Sequence, residues 1–146
     1  MPELLKIGEL ASRSGRSVHA IRWYEAQGLI PGVVRDPGGR RRYSERHLDW
    51  LSLMERLRKT GMSIAGMREY AKLVRQGRAT LKERQEMLAA HRERVKRTIA
   101  EWNEALALLD RKIDFYDDLI RGRSVPVPDL RTGRSTRGAP SRSPRG

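Results

Sequence analysis

The apolar residues of the first part of the chain recur at the spacing of short amphipathic helices, and glycine and proline separate one run from the next. Ile7, Leu10 and Ala11 fall on one face of a first helix. Gly15 follows them and is expected to end the helix in a left-handed conformation, because glycine tolerates a positive φ. The pattern therefore predicts a short helix that ends before Gly15.

A second helix is predicted directly after this turn. Ser17 has the side chain of an N-cap, and the inward side of the helix that follows is marked by Val18, Ile21 and Tyr24. Gly28 is expected to stop it. Two short helices joined by a tight turn are the pattern of a helix-turn-helix.

The next segment favours a hairpin. Between Pro31 and Gly39 the chain holds two prolines and three glycines, which suit a loop or hairpin better than a helix. A short strand-like run from Arg40 to Tyr43 follows it. The segment is therefore predicted to be the wing of a winged helix-turn-helix.

Helical periodicity returns in two further segments. The first covers residues 45–60, with apolar positions at Leu48, Leu51, Leu53, Met54 and Leu57. Gly61 is expected to cap it. Ser63 is expected to start a fourth helix that ends at Gly77. The inward side of this helix is expected to carry Ile64, Met67, Tyr70, Ala71 and Val74.

A long helix with a heptad pattern is predicted from Thr80 to Arg121, where neither proline nor glycine occurs. One core position of the heptad is occupied by Ile99, Leu106, Ile113 and Ile120, and the other by Leu88, Val95, Trp102, Leu109 and Tyr116. Its own chain cannot bury so narrow a stripe, so the pattern predicts a homodimer that pairs these nine residues. Gln85 and Arg92 occupy core positions in the first half, where the seam is expected to be weaker.

Composition divides the chain into three parts. Residues 4–76 are predicted to form a winged helix-turn-helix DNA-binding domain, and residues 80–121 a long dimerisation helix of roughly 60 Å. Residues 122–146 contain six arginines and one aspartate among mostly Gly, Pro, Ser and Thr. They cannot bury enough apolar surface to fold alone and are predicted to form a disordered basic tail. The fold class is thus mainly α, with a coiled-coil helix after the domain.

The charge balance indicates an anionic partner. The net charge is +13, with 31 Lys and Arg against 18 Asp and Glu, and 25 of the 31 basic residues are arginine. Arginine suits bidentate contact with phosphate and guanine. Charge alone does not separate nucleic acid from an acidic membrane, but the helix-turn-helix pattern favours DNA. With only 38% hydrophobic residues, the chain cannot bury one large core, which favours an elongated or oligomeric molecule.

Several function classes are excluded or made less favourable. The chain has no cysteine, which excludes disulfides, thiol redox sensing and thiolate metal sites. It shows no membrane-spanning apolar run and no signal peptide, so we expect a cytoplasmic protein without a membrane partner. His47 and His91 are isolated and flanked by charge, so neither catalysis nor a metal or cofactor is expected.

The motifs of the first part, taken together, resemble the MerR family of bacterial transcription regulators. They are Ile7–Ala11, Arg22–Glu25, Gly28–Pro31 and Gly39–Tyr43. The resemblance covers about residues 4–75 and extends more weakly through the long helix. The second motif usually reads Arg-Tyr-Tyr-Glu, and Trp23 departs from it. The wing usually reads Gly-Tyr-Arg-x-Tyr, and here Arg40 replaces its first tyrosine.

The resemblance implies which residues of the helix-turn-helix contact DNA. The second helix would enter the major groove. Its base-facing residues would be Arg16, Ser17 and His19, and its phosphate-facing residues Arg22, Trp23 and Tyr24. For Trp23 the donor would be the indole N–H. Packing of Trp23 and Tyr24 in the small core is the alternative.

Further phosphate contacts are implied outside the helix-turn-helix. The wing would contribute Arg40, Arg41, Arg42 and Tyr43. Of these, Arg41 and Tyr43 match the pair that contacts phosphate in the family. The alternative is a solvated charged loop, but adjacent like charges repel one another unless an anion offsets them. The turn Leu57–Ile64 also matches the family, which implies a backbone contact from Lys59 and a helix cap at Ser63.

The resemblance implies a function as well as a fold. A homodimer would bind a palindromic promoter operator in double-stranded DNA and bend and undertwist it, so that RNA polymerase engages both promoter hexamers. The effector stays open, as a small organic ligand, a protein signal or none. Two alternatives are an architectural or excisionase-like DNA-bending protein, and a coiled-coil adaptor whose basic tail binds RNA or a partner protein.

Overall fold

The structure is a computed structural model that describes residues 3–123 and residue 126. Its helices and strands, in chain order, are α1 (Ile7–Ser14), α2 (Val18–Ala26), β1 (Val34–Arg35), β2 (Arg41–Arg42), α3 (Arg46–Lys59), α4 (Ile64–Arg75), a 3₁₀ turn (Gly77–Thr80) and α5 (Leu81–Ile120). The mainly α, winged helix-turn-helix architecture predicted from the sequence is confirmed.

The turn between α1 and α2 forms as its two small residues predict. Gly15 adopts a φ of +68°, a left-handed conformation, at the end of α1. The side chain of Ser17 accepts a hydrogen bond from the Ala20 N–H at 3.0 Å and so satisfies one of the free donors at the start of α2. Both capping predictions are confirmed.

The wing is a two-stranded antiparallel hairpin formed by β1 and β2. Val34 lies opposite Arg42 in its register. A separate antiparallel bridge joins Leu5 to Tyr43 through two backbone hydrogen bonds of 2.7 and 2.9 Å. The hairpin is therefore tied at its base to the segment that precedes α1.

The core of the domain lies among α1, α2, α3 and α4. Its largest fully buried side chains are Leu10, Ile21, Leu29, Tyr43, Leu51, Met54 and Met67. Leu29 follows α2 and Tyr43 follows β2. The core thus fixes the chain on both sides of the wing as well as the helices themselves.

The start of α5 packs on this domain. Leu88 is partly buried against the core, and His91 is buried with its Nε2 2.7 Å from Oγ1 of Thr60, at the end of α3. The described residues divide into two compact units between residues 99 and 100. The sequence places Leu88 in the dimer seam, but heptad spacing does not show whether an apolar side chain meets its own chain or a partner.

The second unit contains the rest of α5. Seven of its large apolar side chains are more than half exposed, namely Trp102, Leu106, Leu108, Leu109, Ile113, Tyr116 and Ile120, and the same holds for Ile99 just before it. The predicted limits 4–76 and 80–121 stay a prediction. The predicted basic tail, 122–146, lies almost entirely outside the described residues. Among the residues described, no helix is both long and apolar enough to cross a membrane.

Candidate nucleic-acid interface

Helix α2 exposes one side and buries the other. Ile21 and Tyr24, three residues apart, point into the core and are at most 5% exposed, while His19 and Arg22 are exposed. Ser17 uses its side chain as the helix cap. The ring of Tyr24 packs in the core, and the phosphate contact of this residue stays a prediction.

Trp23 lies between the core and the surface. Its ring is partly buried, meets Tyr24 edge-on at 5.2 Å, and lies under the guanidinium of Arg58 at 4.7 Å. A cation over an indole face is held by the ring quadrupole. Trp23 therefore places Arg58, an exposed residue near the end of α3, beside the exposed side of α2. Arg58 was not predicted as a DNA contact, although the basic run from Arg56 to Lys59 was a signal.

Arg16, the first predicted base-facing residue, is held by an ion pair. Its side chain is 14% exposed, pairs with Glu55, and donates to the Ser14 carbonyl at 3.1 Å. The other oxygen of Glu55 lies 3.0 Å from Nζ of Lys59. The Lys59 hydrogen bond and then the Arg16 charge lower the pKa of Glu55. To reach a base, Arg16 must exchange this carboxylate for DNA, whereas Lys59 is 73% exposed.

The wing turn is organised by Asp36. One carboxylate oxygen accepts the Arg40 N–H at 2.9 Å, and the other accepts Nε and Nη2 of Arg42 at 3.0 and 2.8 Å. The Arg40 backbone hydrogen bond and then the Arg42 guanidinium lower the pKa of Asp36. The Arg42 side chain is only 19% exposed and its position is set by the hairpin, and its phosphate contact stays a prediction.

A second carboxylate joins the wing to α2. Glu25 lies 2.9 Å from Nε of Arg41 and accepts a long hydrogen bond of 3.4 Å from the hydroxyl of Tyr43. Burial, and then the Glu25 charge, raise the pKa of Tyr43. The Tyr43 side chain is buried in the core of the free chain, and its phosphate contact stays a prediction. The family motif did not reveal that this ring fills the core.

The wing and α2 line one basic depression of about 380 Å³. Its lining includes Lys6, Arg22, Arg35, Arg40, Arg41 and Arg42, and among the described residues no carboxylate lines it. Within those same residues, neither Arg22 nor Arg40 has a carboxylate in ion-pair range. A concave surface lined by guanidinium groups suits a phosphodiester backbone. Lys6 and Arg35 were not predicted as site residues, because they are isolated in sequence and reach the depression only through folding.

The described residues do not bring together three His, Asp or Glu side chains that could hold a metal ion. His47 is buried, with both ring nitrogens hydrogen-bonded within the fold. His91 is also buried, with Nε2 bonded to Thr60, while its Nδ1 has no hydrogen-bond partner among the described residues.

Comparisons with known proteins identify the architecture. Residues 5–73 match the model of the MerR HTH family regulatory protein, and residues 48–114 match that of MerR, DNA binding. The chain is 38% identical to an uncharacterized HTH-type transcriptional regulator of Haemophilus influenzae, over 82% of this chain and 89% of that protein. The chain belongs to the MerR family. The resemblance seen in the motifs is therefore confirmed, and this MerR-family protein is a DNA-binding transcription regulator.

Solved structures agree with this assignment. HiNmlR, a MerR family regulator lacking the sensor domain and bound to promoter DNA, matches with a TM-score of 0.70 and 34% identity, over 83% of this chain and 97% of that one. A putative MerR family transcriptional regulator from Listeria monocytogenes matches with a TM-score of 0.75 and 39% identity, over 81% of this chain and 90% of that one. These relatives of the MerR-family protein are regulators rather than enzymes.

Proposed function

We propose that this MerR-family regulator acts as a homodimer on an interrupted palindromic operator within a promoter, where it distorts the DNA to control initiation by RNA polymerase. The observation that carries the proposal is the shared depression, because it places Arg22 of α2 beside Arg40 and Arg41 of the wing. The protein would act in the cytoplasm, at the nucleoid, without catalysis.

One protomer would use α2 and the wing in different ways. His19 is exposed near the start of α2 and would read a base edge in the major groove. The depression would hold the adjoining phosphates, which set the register of the helix but carry no sequence information. Arg58, which lies over the Trp23 ring of α2, and Lys59 are exposed at the end of α3 and would contact the DNA backbone there.

The homodimer proposal is supported by the exposed heptad of α5. Ile99, Trp102, Leu106, Leu109, Ile113, Tyr116 and Ile120 are all more than half exposed in the single chain. Exposed apolar positions at heptad spacing are the pattern of a two-helix seam. Pairing two copies would set the separation of two recognition helices and hence the spacing of two half-sites.

Distortion of the operator would make the regulator switchable. Bending a site of this size by tens of degrees costs of order 1–6 kcal/mol by elastic estimates. Coupling to an effector is typically worth about 1–3 kcal/mol, which is comparable. The identity of any effector stays open.

Selection from random duplexes tests the base-reading part of the proposal. The wild type should enrich an interrupted palindrome, and His19→Ala should relax the preference at one position in each half-site, at a cost of about 1–3 kcal/mol. Arg111→Ala is the control, because Arg111 is exposed and does not lie at a heptad core position. This variant should enrich the same palindrome as the wild type. Failure to enrich a palindrome, or an unchanged one with His19→Ala, would contradict base reading.

Footprinting on a promoter that carries the selected palindrome tests the regulatory part. With RNA polymerase present, the dimer should change both the polymerase footprint and the amount of transcript. Bending of the DNA without a change in transcript would instead indicate an architectural protein.

A further inference from the structure

The five residues that join α2 to the wing, Gln27–Pro31, are held from both sides. We call them the helix–wing linker. On the α2 side, the N–H groups of Gln27, Gly28 and Leu29 bind the carbonyls of Trp23, Glu25 and Tyr24 at 2.9–3.0 Å. Leu29 and Ile30 are buried in the core. The linker N–H groups thus extend the last turn of α2.

The linker carbonyls are bound by side chains of α3 and α4. Arg68 donates from Nε to the Gln27 carbonyl at 2.8 Å, and Arg75 donates from Nη2 to the Gly28 carbonyl at 2.9 Å. Trp50 donates from Nε1 to the Leu29 carbonyl at 2.6 Å. A helix end leaves its last carbonyls without partners, and cations near that end are favourable. These donors fix the C-terminal end of the recognition helix.

His47 holds both ends of the wing. Its Nε2 lies 2.7 Å from the carbonyl of Pro31, before β1, and its Nδ1 accepts the N–H of Ser44 at 2.9 Å, after β2. A carbonyl only accepts and a backbone N–H only donates, so Nε2 is the donor of the ring and Nδ1 its acceptor. His47 is 5% exposed. One buried imidazole therefore closes the base of the hairpin.

We propose that Arg68, Arg75, Trp50 and His47 are positioning residues, which set the placement of the recognition helix relative to the wing and so determine operator affinity without touching DNA. The proposal rests on the proposed function, since it assumes that α2 and the wing bind one operator together. Loosening the linker leaves both elements folded and charged. A loosened linker no longer fixes α2 relative to the wing, so a DNA contact made by one of them no longer favours the contact made by the other.

The proposal also names a route between α5 and the DNA-binding elements. Arg68 and Arg75 lie on α4, and the 3₁₀ turn connects α4 to α5. That junction is held by Thr80, whose hydroxyl donates to the Leu73 carbonyl, and by Arg84, which binds the Gly77 carbonyl and the Thr80 hydroxyl. A displacement of α4 would therefore be transmitted to the end of α2 through two guanidinium groups.

The decisive variants keep the charge or the aromatic ring and change the hydrogen-bond donors that reach the linker carbonyls. Arg68→Lys with Arg75→Lys retains both positive charges but loses the guanidinium geometry. Trp50→Phe removes the donor and keeps a ring stacked on Tyr70, whose present centroid distance is 5.5 Å. Arg78→Lys is the matched control, because Arg78 is exposed and lies next to α4 in the 3₁₀ turn.

The measurement compares affinity for the duplex that the wild type selects with affinity for random duplex of the same length, each as a function of salt. We expect both linker variants to lose about tenfold on the selected duplex and less than about twofold on random duplex, at an unchanged salt slope. The control should match the wild type on both. Hydroxyl-radical footprints of the linker variants should lose the wing protections before those of α2.

Three results would overturn the proposal. Equal losses on both duplexes with a smaller salt slope would mean that Arg68 and Arg75 bind phosphate. No loss on either would mean that the linker contacts do not position α2. Losses that follow a lowered melting temperature in both Trp50→Phe and the double lysine variant would mean a purely structural role.

A measurement without DNA separates failure of the proposal from failure of the proposed function. Amide hydrogen exchange at Gly28 and Leu29 should accelerate several-fold in the double lysine variant, while exchange in α1 stays unchanged. Unchanged exchange at the linker would refute the positioning role even if no operator were found. Absence of an enriched palindrome with the wild type would count against the proposed function alone.

Discussion

Two adjacent leucines of α5 allow a matched test of the homodimer. Leu109 and Leu108 are 57% and 61% exposed in the single chain, but only Leu109 lies at a heptad core position. Truncating each to alanine removes the same atoms from neighbouring positions on one helix. A seam built on the heptad should respond to Leu109→Ala and ignore Leu108→Ala.

The dimerisation free energy that Leu109→Ala should remove follows from the exposed fraction of the Leu109 side chain. Full burial of a leucine side chain is worth about 1.5–3 kcal/mol, so pairing the exposed half of Leu109 contributes roughly 1 kcal/mol per protomer. The cavity left by truncation adds a similar amount. A homodimer contains two copies, which gives about 4 kcal/mol in total, or a dissociation constant raised about a thousandfold. Leu108→Ala should change it by less than about threefold.

Sedimentation equilibrium over a range of protein concentrations measures both variants. A dimer that survives Leu109→Ala, or one that Leu108→Ala weakens equally, would refute the heptad seam. Helix content by circular dichroism serves as the control, since neither substitution should unfold α5.

Three further predictions concern charge and protonation. Arg40→Ala should lower the slope of log affinity against log salt by about one on selected and random duplex alike, and an unchanged slope would place Arg40 away from phosphate. Glu55→Gln frees Arg16 and Lys59, so affinity for random duplex should rise and depend more steeply on salt; a lower affinity would contradict this. Burial, and then the Arg94 charge, lower the pKa of His91 from its usual 6.5. The folded protein then binds this proton less readily than the unfolded chain does, so the free energy of unfolding should fall as the pH drops below about 6.5. Chemical denaturation should show a weaker fall for His91→Leu, and equal pH dependence of the two proteins would count against this role of His91.

The elements were predictable where local chemistry decides them. Gly15, Ser17 and Ser63 set helix ends through backbone conformation and capping bonds that involve near neighbours only. The long helix was predicted over 80–121 and is observed as Leu81–Ile120. The two agree because the stretch lacks glycine and proline, the residues that most often end a helix.

The candidate site was predictable only in part, because distant residues decide its contacts. Arg16 meets Glu55 across 39 positions of sequence, and no local pattern marks that pair. Tyr43 matches a DNA-contacting motif, yet its ring fills the core. His47 is isolated among charged neighbours in sequence, and folding gives it two backbone partners that lie 13 positions apart.

The hairpin held by Asp36 and closed by His47 has a thermodynamic consequence for association with DNA. Its turn, register and base are already bonded in the free chain, so little backbone freedom is left for the wing to lose on docking. A wing that ordered only on contact would add the heat-capacity change of a folding reaction to that of the interface. Calorimetry across temperature should therefore give a heat-capacity change accounted for by the surface buried between rigid partners.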